Sequence, residues 1–213
     1  MINHHERGAQ LIPGNRLGIF GGTFDPIHLG HLLIAEELMF RLSLDRVLFL
    51  PSNLPPHKTG QMVGPNDDRM VMLRAALQGN PHFDISTVDM DRPGLSYTAD
   101  SLEILGERHP HSELIFLMGQ DSLRDLPTWH DPNHIARSAR LGVALRPGVN
   151  VDLDAIISAV PDARDRIELI PVPLIQISSR EIRRRVRSGE PITYHVPKPV
   201  EEHILARNLY RDR

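Results

Sequence analysis

Two histidines three residues apart, His28 and His31, stand in the stretch Phe20-Gly21-Gly22-Thr23-Phe24-Asp25-Pro26-Ile27-His28-Leu29-Gly30-His31, whose residue types suit the handling of phosphate. The apolar run Leu17 to Phe20 reads as a short buried strand, and Leu32 to Met39 has helical spacing. Between them Gly21-Gly22 predicts a turn, Asp25 an N-cap and Pro26 the first helical position. A helix N-terminus presents unpaired N–H groups and partial positive charge, and glycines let an anion approach the backbone. At this spacing both imidazoles can project from one face toward that end and donate to phosphate oxygens. Two other readings of the pair stay open: a solvated surface pair, or two ligands of a zinc site. The chain has no cysteine, and no third ligand follows at a recognisable spacing.

A second candidate is Ile177-Ser178-Ser179-Arg180-Glu181-Ile182-Arg183, which opens the last strongly helical segment. Ser178 and Glu181 match a capping box, and Ile182 with Val186 makes a core-facing pair. Open N–H groups, a serine hydroxyl and Arg183 would together grip a polyphosphate. Arg180, Arg183, Arg184, Arg185 and Arg187 crowd together here, whereas the only lysines of the chain are Lys58 and Lys198. Such concentration suits phosphate, and a capped helix with a solvated arginine face is the alternative. Asp121, in Gly119-Gln120-Asp121, is placed either to accept from ribose hydroxyls or to cap a short helix. The lone tryptophan, Trp129, lies in a loop where its face can stack on an aromatic ring. Ser96-Tyr97-Thr98 precedes the helical pattern Ala99 to Arg108 and should offer N–H groups to an anion.

These residues need a scaffold that brings them to one edge. Six apolar runs recur: Leu17 to Phe20, Val47 to Leu50, Phe83 to Val88, Leu114 to Met118, Leu141 to Leu145 and Ile167 to Val172. Most are separated by roughly thirty residues with one helical pattern, the repeat of βαβ units. The expected fold class is therefore α/β, a doubly wound, mostly parallel sheet with helices on both faces. In that fold ligands sit beyond the carboxyl ends of the strands, near the reversal of strand order. The candidate loops, including Pro51 to Gly60 with His57-Lys58 near its end, all follow strands. Neither G-x-G-x-x-G nor a P-loop pattern is present, which leaves hydride transfer and P-loop hydrolysis unsupported.

The 213 residues suit one domain over 16–213, with residues 1–15 expected to form a mobile arm. A net charge of −3 argues against a general nucleic-acid binder. No apolar run reaches membrane-spanning length, no signal peptide is evident, and the lack of cysteine fits a cytoplasmic protein.

The run Gly21 to His31 resembles the signature of the nucleotidyltransferase superfamily with a (T/H)xGH element, filled here by His28-Leu29-Gly30-His31. Pro51 to Lys58, Leu95 to Leu102, Gly119-Gln120-Asp121 and Leu126-Pro127-Thr128-Trp129 narrow the resemblance to the bacterial nicotinate mononucleotide adenylyltransferases, over about residues 16 to 205. The resemblance implies a Rossmann-like fold that joins ATP to nicotinate mononucleotide, giving deamido-NAD and pyrophosphate, with Mg²⁺ carried by ATP and no metal site on the protein. By the same resemblance His28, His31 and Arg183 are catalytic. ATP would meet Gly22, Thr23, Phe24, His28, His31, Gly119, Asp121, Ile177, Ser178 and Arg183. The mononucleotide would meet Asp25, Asn53, Lys58, Thr98, through its backbone N–H, and Trp129. Residues 177–183 match the ISSTxIR motif except that Arg180 replaces its threonine, which removes a hydroxyl. The rivals are a related enzyme with another acceptor, nicotinamide mononucleotide or phosphopantetheine, and a non-catalytic nucleotide-binding protein. Oligomeric state is not legible.

Overall fold

The computed structural model describes residues 16–54, 63–145, 148 and 151–211; the expected arm and the His57-Lys58 segment lie outside these described residues. All six apolar runs form strands: β1 (Arg16–Gly22), β2 (Arg46–Pro51), β3 (Phe83–Ile85), β4 (Glu113–Gly119), β5 (Arg140–Leu145) and β6 (Ile167–Pro171). Every pairing is parallel, in the order β3-β2-β1-β4-β5-β6. The chain therefore winds outward from β1 to β3, returns, and continues on the other side from β4. The reversal between β1 and β4 opens a crevice at their carboxyl ends.

Alternation along each strand divides the side chains between two cores. Phe20, Val47, Phe49, Ile115, Leu117 and Ala144 face one side. There they meet α1 (Leu29–Arg41), α2 (Asn66–Leu77), α7 (Ser179–Arg187) and α8 (Lys198–Ala206). Leu17, Ile19, Leu48, Leu50, Phe116 and Val143 face the other. Their partners are α3 (Thr98–Arg108), α4 (Gln120–Asp125), α5 (Pro132–Ser138) and α6 (Leu153–Ala159). Burial on both faces is why the strands read as continuous apolar runs. Among the described residues no helix is long and apolar enough to cross a membrane.

Two strand glycines let the end of α1 settle on the sheet. A Cβ at Gly142 would lie 2.6 Å from Leu42 Cδ1 and 3.0 Å from Leu117 Cδ2. One at Gly18 would lie 2.7 Å from Leu44 Cδ1 and 3.0 Å from Leu117 Cδ1. Leu117 thus fills the gap between two bare positions, and the leucines after α1 drop onto it.

Three local expectations are corrected. Gly21-Gly22 is not a turn but the last ladder step of β1, paired with Leu50 and Pro51. The expected strand Phe83 to Val88 stops at Ile85, beyond which Ser86 Oγ accepts from Val88 N–H, a local bond in place of a ladder. The α1 N-cap is His28, not Asp25, so Pro26 is not the first helical residue.

Gly142→Val should lower the unfolding free energy in urea by about 1 to 3 kcal/mol through overpacking. Combined with Leu42→Ala it should cost clearly less than the sum of the two single changes, because each relieves the other. Additive losses would show that Leu42 and position 142 do not compete for space.

Candidate active site

The start of α1 is closed by two imidazoles. His28 Nδ1 accepts from His31 N–H at 3.3 Å, and His31 Nδ1 accepts from His28 N–H at 3.2 Å. This is a capping box with imidazoles in both roles, and the rings stack at 3.6 Å with 20° between their planes. A backbone N–H can only donate, so each Nδ1 is an acceptor and the ring proton resides on Nε2. Burial pushes the His28 imidazole down to about 4, despite an opposing backbone hydrogen bond, and it is neutral at pH 7. The edges of Phe20 and Phe24 hold the His31 ring, at centroid distances of 6.2 Å and 5.2 Å. Among the described residues no three His, Asp or Glu side chains are grouped to hold a metal ion.

Both histidines line a cavity of about 310 Å³ with Phe20, Gly119, Ile177 and Ser178. Five of the residues expected at ATP are thus brought together from the start of α1, the end of β4 and the chain entering α7. Ser178 caps α7 by accepting from Glu181 N–H at 3.2 Å, and Ser179 Oγ donates to Pro26 O at 2.9 Å, which docks α7 against the signature loop. The reciprocal half of the expected capping box is not made. The Glu181 carboxylate binds Arg184, and Arg184 also forks onto Glu190. Arg185 faces the same two carboxylates, so much of the arginine cluster is neutralised locally. Arg183 instead reaches the signature loop, donating to Asp25 O at 2.6 Å, and is not among the residues that line this cavity.

A second cavity, of about 520 Å³, lies on the other face of β1. Gly22, Thr23, Thr98 and Trp129 line it with Phe116, Tyr97 and His130. The Trp129 ring stands edge-on to Phe116 at 6.1 Å, and Tyr97 lies 4.4 Å from His130. Tyr97 is the N-cap of α3 and gives it no side-chain bond. Buried Asp89 also lines this cavity, and burial raises its carboxyl above the usual range against the pull of Ser101 and Arg92. Asp89 was not singled out in the sequence. Its place just beyond β3, at the carboxyl edge, is the signal that could have found it.

Other expected contacts fall elsewhere. Gly22 and Thr23 border the larger cavity rather than the histidine one, and the space beside Gly22 is taken by the Phe24 ring, 2.8 Å from where a Cβ would lie. Phe24 itself is buried. Asp121 sits in the first turn of α4, 3.4 Å from Arg124, and lines a separate depression; the cap is Gly119. The Asn53 side chain donates to Arg92 O and accepts from Asn66, so it braces its own loop. Asp25, 3% exposed, lines neither cavity. Its carboxylate accepts from Tyr210 OH and Gly64 N–H, which is why it is not available to cap α1. Lys58 lies outside the described residues.

The description cytidylyltransferase-like matches residues 19–185. A protein of Thermomicrobium roseum named as a probable nicotinate-nucleotide adenylyltransferase is 61% identical over 197 residues, 92% of each chain. One of a Roseiflexus species with the same name is 44% identical, over 92% of this chain and 98% of its own. Among solved structures, Plasmodium falciparum nicotinic acid mononucleotide adenylyltransferase complexed with NaAD superposes with a TM-score of 0.75. That match covers 92% of this chain and 97% of the other at 19% identity, which bears on the fold alone.

The buried His28 ring makes stability fall with acid. Between pH 6.5 and about 4 the unfolded chain takes up a proton that the folded ring refuses, so stability is lost as pH falls through this window. The loss amounts to about 3 kcal/mol once the folded ring also titrates. His28→Asn keeps a capping side chain without the titration. Its unfolding free energy should therefore lose about 3 kcal/mol less than the wild type between pH 7 and 4. Equal acid slopes in urea unfolding would refute this role of the ring.

Proposed function

The chain belongs to the cytidylyltransferase-like family and, within it, to the nicotinate-nucleotide adenylyltransferases, and from that premise we propose that it transfers the adenylyl group of ATP to nicotinate mononucleotide, forming deamido-NAD and pyrophosphate. The observation that carries this reading is the pair of cavities flanking the carboxyl end of β1, with the Nε2–H tautomers in one and the α3 N-terminus in the other.

The nucleophile is the phosphate of the mononucleotide. With a second pKa of about 6 it is largely dianionic at neutral pH, so no general base is required. One of its oxygens forms a bond to the α-phosphorus of ATP while the bond from that phosphorus to the bridging oxygen breaks, and pyrophosphate leaves with the electron pair. The protein positions the two ends and stabilises charge. His28 and His31 donate through Nε2 to phosphate oxygens without themselves losing a proton. Arg183 and Lys58 offset the accumulating charge, and the start of α7 at Ser178 offers N–H groups to the outer phosphates. Mg²⁺ enters on the triphosphate as part of the substrate, as is usual for this ion. We place the reaction in the cytoplasm, in keeping with a chain that has no cysteine.

His31→Ala should lower kcat far more than it weakens ATP binding, because a donor to developing charge contributes about 3 to 4 kcal/mol to the activation barrier. Near-normal kcat in a folded His31→Ala variant would remove the pair from the chemistry.

The acceptor should be the acid rather than the amide. The α3 N-terminus favours an anion by up to about 2 kcal/mol, roughly thirty-fold in affinity. Pyrophosphate release with ATP and Mg²⁺ should show that preference in kcat/KM when the two mononucleotides are compared, and Trp129→Ala should weaken both acceptors with little change in their ratio. An equal or better rate with nicotinamide mononucleotide would overturn the acceptor, and no turnover with any acceptor would favour a non-catalytic nucleotide-binding protein.

A further inference from the structure

Tyr210 belongs to the C-terminal tail, which the reaction described above does not use. Its hydroxyl donates to Asp25 Oδ1 at 2.7 Å, across 185 residues of chain. Asp25 Oδ2 accepts from Gly64 N–H at 3.1 Å, while the Asp25 carbonyl holds Arg183 Nη1 at 2.6 Å. Asp25 is therefore a junction of four distant segments: the signature loop, the chain entering α2, α7 and the tail.

The charges at this junction are unequally engaged. Arg183 Nη1 stands 3.8 Å from Asp25 Oδ2, beyond a direct hydrogen bond, while each carboxylate oxygen accepts from a neutral donor. Arg69, the other nearby cation, is fully buried and donates to Thr23 O and Asn66 Oδ1. Removal of the Tyr210 hydroxyl would leave the buried Oδ1 without its donor, a costly state, and among the described residues the cation within 4 Å of that carboxylate is Arg183. Closure would take Arg183 away from the role at the triphosphate proposed for it above.

We propose that Tyr210 is a positioning residue for adenylyl transfer: its hydroxyl satisfies Asp25, and so keeps the Arg183 guanidinium from being captured as the partner of that carboxylate. The inference rests on the adenylyl-transfer reading with Arg183 at the phosphates. Burial and the adjacent Asp25 raise the phenol far above its usual range, so it stays a donor at any working pH.

The test uses the full chain and pyrophosphate release from ATP and nicotinate mononucleotide. Tyr210→Phe should lower kcat/KM for ATP by about tenfold or more, the scale of a lost hydrogen bond to a charged group, and leave KM for the mononucleotide nearly unchanged. In an Arg183→Ala background the same change should cost less than about twofold, since its route to the phosphates has already been removed. A merely structural tail would give equal losses in both backgrounds and a fall in the urea midpoint matching the lost activity. Either that pattern or wild-type kinetics in Tyr210→Phe overturns the proposal. Gly64→Ala, whose Cβ would lie 2.6 Å from Asp25 Oδ1, disturbs the same carboxylate with Tyr210 present. Should Tyr210→Phe not fold, Gly64→Ala decides by the same comparison: a loss abolished by Arg183→Ala supports the proposal, and an additive loss or none overturns it. Wild-type protein that releases no pyrophosphate would refute the parent reading instead.

Discussion

A backbone N–H at the start of a helix must find an acceptor, and at the start of α1 two of these acceptors are imidazole nitrogens. Much of the site depends on that exchange. It fixes where the helix begins, holds the two rings against each other, and leaves the protons on the outward nitrogens. A charged imidazolium could not accept at Nδ1, so the cap and the donor tautomer are one arrangement. On the proposed reading, phosphate would meet directed neutral donors, and the net positive charge would come from arginine, lysine and the ion carried by ATP.

The sheet makes this local arrangement useful. Because the strands are parallel and buried on both faces, their carboxyl ends form one rim, and the reversal between β1 and β4 parts the loops there. Gly22 belongs to the ladder, yet its lack of a Cβ is still needed, for the Phe24 ring that in turn supports His31. Sheet packing, ring packing and tautomer are linked through three short steps.

Long-range contacts set what the signature loop can do. Arg69 holds Thr23 from α2, Ser179 holds Pro26 from α7, and Tyr210 with Gly64 closes on Asp25. The Asp68 carboxylate, shared by His203 and Arg207, ties α2 to α8 and the tail that carries Tyr210. The loop is thereby fixed from segments distant along the chain: α2, the residues before it, α7 and the tail.

The sequence by itself determined the six strands, the helices on both faces of the sheet and the start of α7 at Ser178, but it placed the α1 cap at Asp25 rather than at His28. Those features follow from neighbours a few residues apart, through period-two burial and the demand of open N–H groups. The strand order it implied leaves His28, His31, Gly119, Ile177 and Ser178 around one cavity. Only the tertiary structure decided that Asp25 serves Tyr210 and Gly64 instead of a helix, that Asn53 braces its loop, and that Asp89 enters the larger cavity. The arginine cluster likewise read as free charge until Glu190 was found beside Glu181. The physical reason is the same in each case: a polar side chain pairs with whichever donor or acceptor burial brings near, and those partners lie up to 185 residues away along the chain.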